Sequence, residues 1–395
     1  MYNKRRLFSF RSKSFNLLYF YILHYRYSLQ LNGIFGTLVS KITSILHCTL
    51  YIVHLYAMDT KIINDINDTT LIEAAERIKN GGLVAFPTET VYGLGANALD
   101  PTAAKKIYEA KGRPSNNPLI IHLAKPEDAE QYAYTNETYY RLAERFMPGP
   151  LTVILPKKDI IPYEVTGGLD TVAIRVPADR VAHTLIELAG VPIAAPSANL
   201  STKPSPTMAG HVIRDLSGRI DMIIAGDDCD IGVESTIITL SPKAKLLRPG
   251  LITVDELREV CPDIEISDAV LNQHEGRPES PGMMYKHYSP RANVVLLKGS
   301  DQMRYEFLQD KKDCGILCYN EDTELLKYKF AMPVGSKASP KEQAKNLFAK
   351  LREFDDIEEV KTIYAPMTAS EGIGLAVLNR LIRAAGFEIL DLKKE

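Results

Sequence analysis

Leu83-Val84-Ala85-Phe86-Pro87-Thr88-Glu89-Thr90-Val91-Tyr92-Gly93-Leu94 decides how this chain is read. Four consecutive apolar residues, Leu83 to Phe86, read as a buried strand. Pro87 has no N–H to give a ladder and ends it. Small hydroxyl residues and a glycine follow at the strand's C-terminal end, where open α/β sheets place their ligand sites. Further along, Lys111-Gly112-Arg113-Pro114 sets two cations on either side of a glycine, where little side-chain bulk hinders a polyanion. Hydroxyls with a close Lys/Arg pair point to phosphate chemistry on a small polar substrate.

Outward from this stretch the pattern alternates helix and strand. Leu71, Ile72, Ala75 and Ile78 share one helical face, and Asn80-Gly81-Gly82 stops that helix. Helices are predicted at 101–110, 137–147, 181–189 and 208–216. Strands are predicted at 119–123, 151–155, 171–176, 192–195, 220–225, 236–240 and 245–248. Several strands follow one another without a helix, so the sheet is mixed rather than purely parallel. This mixed α/β domain spans 58–265. Residues 266–292 read as a linker whose Pro and Tyr residues give it a defined shape rather than a flexible one. Residues 293–395 form a second, smaller α/β unit, with strands at 294–297, 315–318 and 362–365 and helices near 340–352 and 375–385.

Composition is that of an ordinary globular protein, 45% apolar and 24% charged. The net charge of -2 hides an asymmetry. Residues 1–57 hold seven Lys/Arg and no Asp or Glu, leaving 40 Lys/Arg against 49 Asp/Glu in the rest. A net acidic body argues against broad coating by nucleic acid, so a bound polyanion needs a local basic site. The five cysteines form no C-x-x-C pair, which fits a reducing cytosol and gives no zinc signature. The first 57 residues read as a non-homologous extension, upstream of a true start at Met58 or disordered. A targeting or membrane-surface segment is the alternative, because they are basic and acid-free. They lack the ~20 apolar residues of a membrane helix.

The remaining motifs are ambiguous one at a time. There is no Walker A pattern and no G-x-G-x-x-G after the first strand, and Gly372-Ile373-Gly374 alone reads as a turn. Side-chain cations must then do what backbone amides do elsewhere. Arg175 lies inside an apolar strand and needs a carboxylate partner, from the protein or from a ligand. Ser197-Ala198-Asn199 and Ser205 follow a short strand that ends at Ala195 and Pro196, and suit either turn capping or phosphate and ribose contacts. His122 closes an apolar strand, as a core residue or a site residue. Glu234-Ser235 and Arg248-Pro249-Gly250 repeat the theme of a strand end followed by a turn. Taken together, these groups are expected at one edge of one sheet, as a site for a nucleotide and an amino-acid-sized carboxylate.

Pro87–Leu94, Lys111-x-Arg113, Ser197-x-Asn199 and Ser280-Pro281-Gly282-x-x-Tyr285-x-His287-Tyr288-x-Pro290 closely resemble the L-threonylcarbamoyladenylate synthases, YrdC-like proteins in their long form. The resemblance covers 58–395. It implies a YrdC-like twisted mixed sheet with flanking helices, joined to a Rossmann-like accessory domain. It implies that L-threonine, bicarbonate and ATP, with Mg²⁺, give threonylcarbamoyl-AMP, pyrophosphate and water. The product would pass to a tRNA threonylcarbamoyl transferase that modifies tRNA next to the anticodon. It places Lys111 and Arg113 in the catalytic role, and Thr90, His122, Arg175 and Ser235 at threonine-binding positions. Arg113, Asn117, Thr171 and Ala195 fall at ATP-binding positions, as do Ser197, Asn199, Ser205, Arg248 and Tyr288. Tyr285 and His287 belong to a loop that closes over the site. A cytoplasmic protein without a membrane anchor is expected. The alternative from a different class is a double-stranded RNA or tRNA-binding module without catalysis, and weak RNA contact is compatible with either.

Overall fold

The computed structural model describes residues 59–272, 280, 287–324, 326 and 330–393. The expectations for residues 1–57 and for Tyr285 lie outside them. The strand beginning the decisive stretch forms as read, but it is half of a hairpin. β1 (Lys61–Ile63) precedes it, β2 is Val84–Phe86, and β3 (Gly93–Asn97) returns antiparallel to β2 with Phe86 opposite Gly93. The return strand was not predicted, because Gly-Leu-Gly-Ala-Asn has neither alternation nor branched residues. Gly95 is there for room, since a Cβ would lie 2.7 Å from the Phe86 ring.

The chain continues through β4 (Ile120–His122), β5 (Leu151–Pro156), β6 (Thr171–Arg175), β7 (Ile193–Ala195) and β8 (Met222–Ile224). β9 (Thr236–Thr239), β10 (Lys245–Arg248) and β11 (Glu265–Ile266) complete the first sheet. Among the described residues it has eleven strands, in the order β1-β8-β2-β3-β7-β4-β6-β5-β9-β10-β11. Parallel and antiparallel pairs are mixed, as expected. Helices at Asp68–Lys79, Pro101–Lys111, Glu137–Phe146, Arg180–Ala189 and Ala209–Leu216 flank the sheet. The first of them buries Leu71, Ala74, Ala75 and Ile78. Ile72, expected on that face, is 51% exposed instead: at 100° per residue it falls beyond the stripe that Ala74 completes.

The mixed pairing corrects one expectation. β4 and β6 run opposite to β2 and β7, because Ile120 pairs with Ala195 and His122 with Ile193 in antiparallel register. The C-terminal ends of these strands therefore fall on two opposite edges. His122, Arg175 and Ala195 share a face of the sheet instead, by the two-residue alternation of side chains. Thr171 opens the strand that Arg175 closes, roughly 13 Å away at 3.3 Å per residue.

β12 (Asn293–Lys298), β13 (Gly315–Cys318), β14 (Ala331–Pro333), β15 (Thr362–Pro366) and β16 (Ile389–Asp391) form a second, all-parallel sheet, in the order β14-β13-β15-β12-β16. Helices Asp301–Gln309, Pro340–Glu353 and Gly372–Ala384 cover it, a Rossmann-like arrangement. The described residues pack as one compact unit. The second core takes in Val91, Ile231 and Val233 of the first sheet's loops together with Leu347, Phe348 and Leu381. The predicted linker is not free at its start: Val270 is buried, and Asn379 donates to its carbonyl.

Gly232 lies at the seam between the two sheets and has φ +80°. A Cβ there would lie 2.4 Å from Lys345 Cα, a backbone atom of helix Pro340–Glu353. Gly232→Ala combines left-handed strain with a contact that cannot relax, and is expected to destabilise by about 2 kcal/mol or more. A thermal melt checks this, and an unchanged midpoint would mean that the helix is not seated against this loop.

Candidate active site

Arg175 closes β6 with 4% exposure. Its Nη2 donates to Glu89 Oε1 at 2.7 Å and its Nε to the Gly149 carbonyl at 3.4 Å. The strand arginine thus has a carboxylate partner from the protein, supplied by the decisive motif itself. Burial pushes the Glu89 carboxyl up, but the Arg175 charge and hydrogen bond outweigh it and hold the carboxyl below its ordinary value. Arg175 Nη1 has no hydrogen-bond partner among the described residues, and neither has Glu89 Oε2.

His122 stands opposite Arg175 in the β4–β6 register. Its Nδ1 lies 3.2 Å from the Ile120 carbonyl and 3.3 Å from that of Ile193. Carbonyl oxygens only accept, so Nδ1 carries the proton and Nε2 keeps a lone pair. Burial first, then the Arg175 charge, drops its pKa to about 3. At neutral pH it is an uncharged acceptor.

The two basic signature residues do different jobs. Helix Pro101–Lys111 ends at Gly112, whose φ of +62° turns the chain so that Lys111 and Arg113 diverge. Lys111 is 2% exposed and donates to the carbonyls of Ser197 and Asn199. It ties the Lys-x-Arg turn to the Ser-x-Asn turn, and burial lowers its pKa well below the ordinary lysine value. Asn199 in turn receives the Ser197 hydroxyl at 2.6 Å and donates to the Leu200 and Lys203 carbonyls. Arg113 Nη2 donates to Asn117 Oδ1 at 2.6 Å and to the Pro118 carbonyl at 2.9 Å, and its Nε to the Asn117 carbonyl at 3.2 Å. All these acceptors are neutral. Burial lowers its pKa to about 10, so it stays charged.

Ser235 precedes β9 and Arg248 closes β10. Arg248 Nε donates to the Ser235 carbonyl at 3.0 Å, and its Nη2 to the Ser235 hydroxyl at 3.1 Å. That hydroxyl also meets Thr152 Oγ1 at 2.8 Å. Glu234 receives the Ser205 hydroxyl on one oxygen and Arg380 Nε on the other, at 2.9 Å. Tyr288 is 1% exposed and holds a left-handed φ of +62°. Phe348 at 5.1 Å between ring centroids and the Arg380 guanidinium at 5.9 Å keep it there.

One cavity is lined by Arg113, His122, Arg175, Ser197, Ser235 and Arg248, with Ala195 beneath and His287 and Tyr288 from the linker side. Thr88, given no role from the sequence, and Glu234, grouped with the site but given no ligand, also line it. Lys111, Asn117, Asn199, Thr90 and Ser205 do not line it; they buttress residues that do, Thr90 through its 2.9 Å contact with Thr88. Thr171 stands apart at the far end of β6. Sequence reasoning missed the contribution of helix Gly372–Ala384. Its signal was available: Asn379, Arg380 and Arg383 interrupt an otherwise apolar helix, and both arginines are essentially unexposed.

A polar cavity with three buried guanidiniums and two uncharged histidines, set on a mixed α/β sheet, suits small anionic substrates. A family model described as "Telomere recombination", for the Sua5, YciO and YrdC proteins, matches residues 76–250. A second, "Threonylcarbamoyl-AMP synthase, C-terminal domain", matches 252–386. A threonylcarbamoyl-AMP synthase of Pyrococcus abyssi is 46% identical over 330 residues, 81% of this chain and 95% of the relative. One of Bacillus subtilis is 44% identical over 331 residues, 82% of this chain and 95% of the relative. The crystal structure of P. abyssi Sua5 complexed with L-threonine superposes with a TM-score of 0.78 at 45% identity, covering 84% of this chain and 99% of that one. The chain belongs to the threonylcarbamoyl-AMP synthase family.

His122 and His287 titrate near 6.5 in an unfolded chain and near about 3 when buried here. Between those values the unfolded state binds more protons. Their contribution to stability is therefore complete above pH 6.5 and is lost as pH falls toward 3, by about 1.4 kcal/mol per unit for each histidine. Denaturant titrations from pH 7 to 5 are expected to show falling stability, with a shallower slope in His287→Asn. A flat profile would contradict two histidines buried in neutral form.

Proposed function

We propose that this chain condenses L-threonine, bicarbonate and ATP into threonylcarbamoyl-AMP, releasing pyrophosphate and water. The observation that carries the reading is Arg113, a buried charged guanidinium whose protein partners are all neutral, in one cavity with Arg175 and Arg248. Such a cation is costly to bury without an anion, and a nucleotide phosphate supplies one. Identity of 44–46% to named synthases over most of the chain supports the same conclusion.

Arg175 keeps Nη2 on Glu89 and offers Nη1 to the threonine carboxylate. His122 Nε2 accepts a hydrogen bond from the amino acid's amino or hydroxyl group. The neutral amino nitrogen bonds to the carbon of bicarbonate, whose hydroxide leaves as water with one amine proton, giving a carbamate. A carbamate oxygen then attacks the α-phosphorus while the bond to the bridging oxygen of the leaving pyrophosphate breaks. Arg113 and Arg248 offset charge on the phosphates, and no covalent enzyme intermediate is needed. Lys111 acts through the Ser-x-Asn turn that it holds, rather than by reaching the phosphates itself. His287 and Tyr288 exclude water from the labile carbamate and mixed anhydride.

Among the described residues, no three His, Cys, Asp or Glu side chains gather as a metal cradle. Glu89 and Glu234 are both held by arginines. A protein-held Mg²⁺ does not fit this donor set; the ion expected with ATP would arrive on the nucleotide's own phosphates. The product goes to a transferase that acts on tRNA, and any RNA contact of this chain is weak. Among the described residues no helix is long and apolar enough to cross a membrane. Cys229, Cys261, Cys314 and Cys318 are free and buried, which suits a reducing cytoplasm.

Pyrophosphate release by the full chain with ATP and Mg²⁺ tests the reading, with threonine and bicarbonate added separately and together. Release is expected only with both. Steeply salt-dependent RNA binding without release would favour the RNA-binding alternative. Arg175→Ala is expected to raise the threonine KM at least ~10-fold, as loss of a charged hydrogen bond of 1.5–3 kcal/mol implies. Lys111→Ala should lower kcat more than it raises that KM; equal changes in both would deny it a role in the transition state.

A further inference from the structure

We infer that Arg380, on the last long helix of the accessory domain, is a positioning residue for the catalytic cavity; the inference rests on the proposed synthase activity. Its guanidinium is fully buried. Nε donates to Glu234 Oε2 at 2.9 Å, and Nη2 to the Glu234 carbonyl at 3.2 Å. Nη1 donates to the Pro249 carbonyl and to Asn379 Oδ1. Glu234 is the residue before Ser235, and Pro249 the residue after Arg248. One side chain from the second domain therefore clamps the backbone beside both of these cavity residues. It also sets the carboxylate whose other oxygen receives Ser205, and it lies 5.9 Å from the ring of Tyr288.

Among the described residues, the other buried interdomain ion pair does not have this geometry. Arg352 makes a second buried pair across the same seam, with Asp215 Oδ2 at 2.8 Å and the Pro204 carbonyl at 2.6 Å. Neither Asp215 nor Pro204 lines the cavity. Arg352 fastens the domains, whereas Arg380 fastens them and fixes the spacing of Ser235 from Arg248. Only a planar fork with donors on both sides can span Glu234 and Pro249; a lysine ammonium cannot.

The test uses the full chain with Arg380→Ala, Arg380→Lys and Arg352→Ala. Melting temperatures and threonine-dependent pyrophosphate release are measured together. Arg380→Ala and Arg380→Lys are expected to lose at least ~10-fold in kcat, since displacements of about 1 Å at a reacting centre cost up to 10²-fold. Arg352→Ala is expected to melt lower but keep its kcat. Arg380→Lys retains charge and bulk and serves where the alanine variant does not fold. In a Glu234→Gln background the loss on changing Arg380 should shrink, because its main partner is already altered. Equal kcat losses in the Arg352 and Arg380 variants, or none in Arg380→Lys, would overturn the positioning role. If the wild-type chain itself shows no threonine-dependent release, the synthase reading fails first and this inference with it.

Discussion

Burial of positive charge is the constraint on which this structure turns. Arg113, Arg175, Arg248, Arg380 and Lys111 are each less than one-tenth exposed. Taking a cation out of water costs several kcal/mol unless something replaces the lost solvation. The chain supplies replacement by two means. Carboxylates neutralise Arg175 and Arg380, while carbonyl and amide oxygens only solvate Lys111 and Arg113. At Arg113 the second means leaves positive charge facing the cavity, where a polyanion would sit. That charge is a reason for the cavity to bind rather than merely to exist.

The same constraint explains why the second domain is part of the site. Glu234 is buried at the cavity wall beside Arg248, so it must itself be paired, and its partner comes from a helix nearly 150 residues further on. The accessory sheet is thus joined to the first through a charge that the cavity needs, besides the apolar seam of Ile231 and Val233. Helix Pro340–Glu353 can reach that seam only because Gly232 has no side chain. The linker follows the same logic: His287 hangs from the Arg383 carbonyl, and Ser289 from that of Thr202, so it is sewn to both domains.

Much of this was legible in the sequence. β2, the Lys-x-Arg turn and the Ser-x-Asn turn are local signals, carried by an apolar run, a proline and glycines within a few residues. Arg175 announced itself as a charge in an apolar strand, although its partner could not be read there. Glu89 lies 86 residues away, and only the β2–β3–β7–β4–β6 order brings them together. The expectation of a single sheet edge failed for a related reason. Strand direction is set by pairing, and the pairing of β4 with β7 is antiparallel, which no local pattern records.

The division of labour between Lys111 and Arg113 was likewise hidden, and its cause is conformational. Two cations separated by one residue point the same way in a strand and well apart around a left-handed glycine. Gly112 takes the left-handed form, so Lys111 turns inward to the Ser197 and Asn199 carbonyls while Arg113 faces the cavity. A Cβ at position 112 would meet no atom within 4 Å, so crowding does not explain the glycine. The dihedral does, since φ +62° is a conformation that other residues reach only at a cost of roughly 1–2 kcal/mol. The glycine in the motif therefore sends two neighbouring basic residues to different places: a lysine that ties two turns together and a guanidinium that faces the cavity.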